Sequence, residues 1–446
     1  MRILGIELRR TTALVLGALA VVALVGMLGW GPSAKNSTAW TRQWTTMAEW
    51  VRFMLVLAWP LTLGGGALQG LRDRRSGVGE LFGSTPRPRA QRVAVTLGAL
   101  AVALAAAYAV VLAIGAAQVV SATDYFHLGW LPIALVGVVA LVGAAALGMG
   151  LARLVPSPLT PPLLAIGGLA LMSLGTAPVA GEAFGWVLLL PSLPMPVTVY
   201  ATVPGSVSAV QLVWFAGVAL TGFVLVAARR RWLGVLPVLV AGVVVAPLLP
   251  ATPGEAVARD AVAAELVCED GLCLTRAHEH ERSALAGPAR EALRLLGRLP
   301  SPPTSVREVA GPVRGEPARG PESTDAVWVD LDEIAYFRRE PLTAERLTAY
   351  LVAGAGTRTC YGDVIPREVT REVAARAVMT SWLTGRVETL PSFREWLGAE
   401  IDALAADALG RLRALPEGEQ AVRVQAAREV QAACAGDALE VLVGRD

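Results

Sequence analysis

Lysine is nearly missing from this 446-residue chain: of 39 basic residues only Lys35 is a lysine, and charged residues make up 17% of the whole. A phosphate-binding loop needs a lysine, preceded by glycine, to reach a nucleotide's terminal phosphates. Lys35 follows Ala34 in GPSAKNS, so the chain is not its own P-loop ATPase. Cysteine is absent from the first 250 residues; all four, Cys268, Cys273, Cys360 and Cys434, come later. No Gly-x-Ser-x-Gly nucleophile elbow occurs. The two close histidines of HEHER, His278 and His280, are two residues apart and face different sides of a helix, so the zinc-protease motif is lacking. No complete catalytic constellation remains, and the chain reads as a non-enzyme.

What is present is apolar. Hydrophobic residues make up 54% and the mean hydropathy is +0.53, outside the range of an ordinary soluble protein. Residues 1–250 hold 16 basic and 6 acidic residues, and residues 251–446 hold 23 and 31, so the chain has two physically different halves.

Seven stretches of the first half approach the ~20 residues that cross a hydrocarbon core: Thr11–Trp30, Val51–Gly70, Val93–Ala122, Trp130–Leu151, Leu159–Leu174, Ala209–Ala228 and Leu233–Leu249. The interiors of the third to seventh contain no Asp, Glu, Lys, Arg or His, which disfavours coupling to a proton or sodium gradient. Thr62, Tyr108, Gln118, Ser173 and Gln211 are expected as interhelical hydrogen-bond partners.

Arginine sets the expected orientation. Arg2, Arg9, Arg10, the arginines of 72–92, Arg153 and Arg229–Arg231 all fall on one side of the seven stretches, and Lys35, Arg42, Glu49, Asp124 and Glu182 on the other. The arginine side is then cytoplasmic, with the N-terminus, and the C-terminal domain is extracellular, in a multi-pass plasma-membrane protein. Oxidation of cysteine is favoured on that outer side. Three pairings are possible, and proximity favours Cys268 with Cys273 and Cys360 with Cys434. Four free thiols, or zinc held by Cys268, Cys273, His278 and His280, are the alternatives.

The expected fold is therefore an α-helical polytopic membrane domain of about seven spans (1–250), a linker (251–260), and a mostly helical α+β extracytoplasmic domain (261–446). Segment 178–206 is apolar but broken by prolines, and reads as re-entrant or interfacial on the outer face, or as a plain loop. Residues 1–10 are amphipathic, either an interfacial helix or the end of the first span. In the C-terminal domain helices are expected at Glu279–Leu299, Thr343–Ala353, Pro366–Leu383, Ser392–Leu415 and Gln420–Val443, and strands at LCL and VWVDL. Glu279, Glu281 and Arg282 read as a solvated helix face.

Between the second and third stretches lies an island, QGLRDRRSGVGELFGSTPRPRAQR (70–92 with Gln69), whose arginines hug the membrane end and suit anionic lipid or a cytoplasmic protein better than nucleic acid. Val78, Leu81 and Phe82 can form one face of a short helix beside Glu80. The order Arg74, Arg75, Gly77, Glu80, Leu81, Ser84, Thr85, Pro86, Pro88, Arg89 resembles a cytoplasmic segment of the membrane subunits of type-2 ATP-binding-cassette exporters, particularly actinobacterial permeases. The resemblance covers roughly residues 1–230; the seventh stretch and the C-terminal domain lie outside it. It implies a permease subunit paired with a second copy or a related permease. A separate cytoplasmic ATPase would hold ATP and magnesium and dock on Arg72, Arg74, Arg75, Glu80, Leu81 and Phe82. No cofactor or metal would be bound by the chain itself. The competing expectation is a membrane-anchored scaffold whose outer domain binds or assembles a partner.

Overall fold

A computed structural model describes residues 5–8, 12–30, 39–72, 88–176, 184–193, 198–311, 322–332, 334, 342–354, 357, 359–361, 366–387 and 394–444. The chain divides into two compact units. The first comprises Met1–Ala122, Phe126–Val197 and Ala201–Ala258, and the second Thr123–Tyr125, Thr198–Tyr200 and Arg259–Asp446.

The first unit is helical: α1 (Ala13–Trp30), α2 (Trp44–Phe53), α3 (Leu55–Gly70), α4 (Arg89–Ala122), α5 (Trp130–Leu154), α6 (Thr160–Thr176), α7 (Gly205–Ala227) and α8 (Leu236–Val245). Helix is the natural state of such sequences in lipid, because it satisfies every backbone donor and acceptor within the segment. Arg89–Ala122, Trp130–Leu154 and Gly205–Ala227 are long and apolar enough to cross a membrane, and Trp44–Phe53 with Leu55–Gly70, bent by 49°, reaches that length only as a pair. Ala13–Gly29, Thr160–Ser173 and Trp232–Leu248 are apolar but shorter. Large apolar side chains point outward along the unit, among them Leu14, Val22, Ile166, Leu220 and Val243, a surface that suits hydrocarbon and not water.

Helix α5 lies between α3 and α7. Small residues let the backbones meet: a Cβ on Gly148 would stand 2.1 Å from the Leu63 carbonyl oxygen, and one on Gly222 would stand 2.1 Å from the Ala146 carbonyl carbon. Close approach of this kind is what holds helices together where lipid removes the hydrophobic drive between them.

The second unit has a four-stranded sheet in the order β1 (Leu266–Glu269), β2 (Leu272–Thr275), β3 (Ser305–Glu308), β4 (Ala326–Val329). β1 and β2 form a hairpin whose Asp270 and Gly271 both have positive φ (48° and 77°), the two-residue turn that Asp-Gly favours. The other pairings are parallel, with α9 (Arg282–Leu296) crossing from β2 to β3. Helices α10 (Ala344–Ala353), α11 (Pro366–Thr384), α12 (Arg394–Arg413), α13 (Glu417–Ala433) and α14 (Ala438–Val443) complete a core that includes Leu274, Leu296, Val306, Val329, Val378 and Leu412.

Two boundaries and two strands differ from the sequence expectation. The second apolar stretch begins at Trp44, not Val51, and breaks at Met54. The helix expected over Gln420–Val443 is two helices, because Cys434 turns left-handed (φ 49°) and Asp437 caps a new helix by accepting from the amides of Leu439 and Glu440. Strands β1 and β3 were not expected.

Candidate functional sites: two buried polar centres

The first centre is built on α2, whose residues from Trp44 to Arg52 are all buried, polar ones included. Thr45, Glu49 and Arg52 recur at helical spacing, so they share a face. The Arg52 side chain is 1% exposed. Its Nε donates to the Pro191 carbonyl (3.0 Å), Nη1 to the Ile133 carbonyl on α5 (3.3 Å), and Nη2 to Gln211 Oε1 on α7 (3.4 Å). Gln211 Nε2 and Trp214 Nε1 donate to the carbonyls of Leu188 and Leu189, both at 2.9 Å. These donors meet a short 3-10 turn, Phe184–Leu189, and the proline-broken chain after it. Such backbone leaves carbonyls that its own segment cannot pair, and buried carbonyls need donors. Glu49 stands one turn before Arg52 and is coupled to its charge. Gly137 makes room for the cluster: a Cβ there would lie 2.4 Å from Tyr108 Oη and 3.0 Å from Arg52 Cδ. One guanidinium thus fastens the broken segment to α2, α5 and α7.

The second centre lies inside the second unit. Glu308, at the end of β3, is 1% exposed. Its Oε1 accepts from the Tyr200 hydroxyl at 2.6 Å and stands 2.5 Å from His278 Nδ1, while Oε2 accepts from the Thr275 amide at 2.7 Å. Tyr200 Oη is also 3.0 Å from Thr275 Oγ1 and 3.1 Å from His278 Nδ1. Burial alone would push the His278 imidazole down, but the Glu308 carboxylate overrides it and holds the ring up at about 9. Burial would push the Glu308 carboxyl up, and the charge and hydrogen bond of His278 hold it below the usual carboxylate range. Burial, then the adjacent Glu308, raises the Tyr200 phenol well above its ordinary value. Imidazolium and carboxylate therefore form a buried ion pair at neutral pH.

The same unit takes in two short pieces of chain that lie between the apolar helices in sequence. Thr123 Oγ1 donates to the Ala277 carbonyl (3.3 Å), and the Tyr125 hydroxyl donates to Asp260 Oδ2 (3.1 Å). The Val199 amide donates to Asp332 Oδ2 (2.9 Å). Arg282 is not the solvated residue expected: its Nη1 and Nη2 donate to the carbonyls of Leu272 (3.1 Å) and Val267 (2.7 Å), tying both strands of the hairpin to α9.

Of the residues expected to contact an ATPase, Arg72 is exposed just beyond α3, and Arg74, Arg75, Glu80, Leu81 and Phe82 lie outside the described residues. Cys268 pairs with Cys273 across the hairpin and Cys360 with Cys434, and these bonds remove the thiols a zinc site would need. Among the described residues no group of three His, Cys, Asp or Glu side chains is placed to hold a metal. Of the five polar residues expected between apolar helices, Gln211 bonds across elements. Thr62, Gln118 and Ser173 donate to carbonyls one turn back in their own helices, and Tyr108 Oη has no hydrogen-bond partner among the described residues. The sequence reading missed Arg52 and Glu308, although the Thr45, Glu49, Arg52 spacing was a visible signal. Compared with known protein families, curated proteins and solved structures, the chain matches none.

Proposed function

We propose that the chain is the membrane-spanning permease subunit of an ATP-driven exporter, with about seven spans, a cytoplasmic N-terminus and an extracellular second unit. A separate cytoplasmic ATPase, carrying ATP and magnesium, docks on the island after α3, and a second copy or a related permease completes the pathway. The observation that carries this reading is the order of residues from Arg74 to Arg89. The placement of that island supports it: the chain enters from an apolar helix ending at Gly70 and leaves through one beginning at Arg89. The interiors of α4, α5 up to Leu151, and α7 carry no Asp, Glu, Lys, Arg or His, which suits a lipophilic, drug-like or peptide substrate moved by an external motor.

The test is co-purification. Joint replacement of Arg74, Arg75 and Glu80 by alanine is expected to abolish recovery of an ATPase with the tagged chain while its amount in the membrane stays unchanged. Undiminished recovery refutes the docking role. The scaffold reading has its own support, since the second unit is compact and disulfide-bonded. Under that reading no ATPase is recovered with the unaltered chain.

A further inference from the structure

The connection from α4 to α5 ends in an apolar tip. Phe126 and Leu128 stand on either side of His127, and each is 60% exposed. His127 turns inward between them. Its Nδ1 accepts from the Gly129 amide (3.1 Å), which places the ring proton on Nε2, and Nε2 donates to Thr45 Oγ1 on α2 (3.1 Å). The Leu131 amide donates to the Leu128 carbonyl (3.0 Å). The tip thus uses polar groups inside the fold and shows two apolar side chains outward.

These side chains stand on an aromatic base. The Phe126 ring meets Trp44 edge-on at 5.2 Å, and Trp44 stacks on Trp130 at 5.8 Å. Trp44 is buried and Phe126 is the outermost ring of the three. Large apolar groups held in water by rigid packing are unfavourable unless an apolar surface covers them.

The surroundings select lipid as that cover. Arg89–Ala122 and Trp130–Leu154, the helices that the tip joins, are both long and apolar enough to cross a membrane. Val120 on α4 and Leu131 and Leu135 on α5 are exposed, so the apolar face continues from the tip along the two helices. Ser121 and Asp124 are exposed beside it, and the tip therefore lies where apolar surface gives way to polar. That is the level of a headgroup layer, where aromatic side chains of membrane proteins gather. A soluble partner meeting the tip would cover on the order of 200 Å², against the ~800 Å² a side that a stable protein interface takes.

We propose that Phe126 and Leu128 insert into the headgroup layer of a lipid bilayer and fix the depth of the α4–α5 pair, an inference that rests on these helices spanning a membrane and not on an ATPase partner. The two disulfides leave no free cysteine, so one introduced cysteine takes a label cleanly. Full-length Phe126→Cys, Leu128→Cys, Val110→Cys and Val422→Cys proteins are labelled with bimane and placed in phosphatidylcholine nanodiscs. The lipid carries a doxyl quencher near the headgroup end or near the methyl end of its acyl chain, and iodide serves as the aqueous quencher. Val110 is exposed near the middle of α4, and Val422 is exposed on α13 in the second unit. At 126 and 128 the headgroup-end label is expected to quench at least about twofold more than the methyl-end label. The order is expected to reverse at 110, and iodide alone is expected to act at 422. Quenching by iodide alone at 126 and 128, with 110 quenched from the methyl end, overturns the anchor and leaves α4 in the membrane. Stronger quenching from the methyl end at 126 and 128 overturns the interfacial level. Shielding of both positions from lipid and iodide alike places protein over the tip and also overturns the proposal. Loss of lipid quenching at 110 as well refutes the spanning of α4 and the anchor with it.

Discussion

Replacing Glu308 by Gln removes one charge and almost no volume from the second buried centre. The wild-type carboxylate answers three donors: the Tyr200 hydroxyl, the His278 ring and the Thr275 amide. An amide presents one oxygen and one NH₂ group, so at least one of those donors then faces another donor. Removing one partner of a buried, hydrogen-bonded ion pair costs about 3–5 kcal/mol. The pH dependence is the sharper readout. The imidazole is held at about 9 against an ordinary 6.5, so its charged form contributes ~3 kcal/mol at neutral pH, the same interaction seen from the histidine side. Because the folded value is raised, that contribution is complete below about 6.5 and is lost as pH rises through about 9. The Glu308 value is lowered, so its contribution is present above the ordinary carboxylate range and disappears as pH falls through the folded value. Hydrogen exchange of the full-length protein in detergent, read at peptides covering 272–278 and 305–309, measures the effect locally. Wild-type protection is expected to fall by ~3 kcal/mol between pH 7 and pH 10. The Glu308→Gln protein is expected to begin about 3–5 kcal/mol lower and to show no such decline. A flat wild-type profile, or the same slope in both proteins, refutes the ion pair.

Arg52→Met is expected to release the segment around Pro191 by leaving the Pro191 and Ile133 carbonyls and Gln211 Oε1 without their donor, at a cost of about 1–3 kcal/mol; limited proteolysis in detergent is expected to cut 184–193 faster, and unchanged cleavage refutes the fastening. The disulfides are expected to differ in weight, because Cys360–Cys434 closes 74 residues and Cys268–Cys273 closes 5. Loop-closure entropy gives ~4 kcal/mol for the first and ~2 kcal/mol for the second. Serine pairs compared by urea unfolding test the order.

The apolar helices were legible because burial in lipid needs only length and composition, and both are written locally. The same rule hid α2. Its sequence WTTMAEWVRF alternates polar and apolar residues, which a hydropathy scan reads as a loop preceding a span, whereas the helix hides its polar face inside the protein. Strands β2 and β4 were read from LCL and VWVDL; β3 is four residues long and pairs in parallel across long connections, so it carries no turn signal, and β1 was missed although Asp270–Gly271 marks the turn that follows it. The end of α13 was also written locally, in the Gly436–Asp437 pair, but the apolar period running through it to Val443 outweighed that signal. The Glu308 centre had no local signature at all, since Tyr200, His278 and Glu308 are separated by 78 and 30 residues.

The scarcity of lysine takes on a structural meaning once these centres are compared. A guanidinium offers five donors in a planar fork, so one side chain can serve acceptors on several elements at once; an ammonium is a compact, more strongly hydrated point charge. Arg52 uses three nitrogens on three separate pieces of chain, Arg282 spans both strands of a hairpin, and Arg376 joins Glu372 to the Gly354 and Thr357 backbone. In each case the fork stands in for backbone pairing that a break, an edge or a helix end has left incomplete. Lysine at those positions would answer fewer acceptors and demand more desolvation for each.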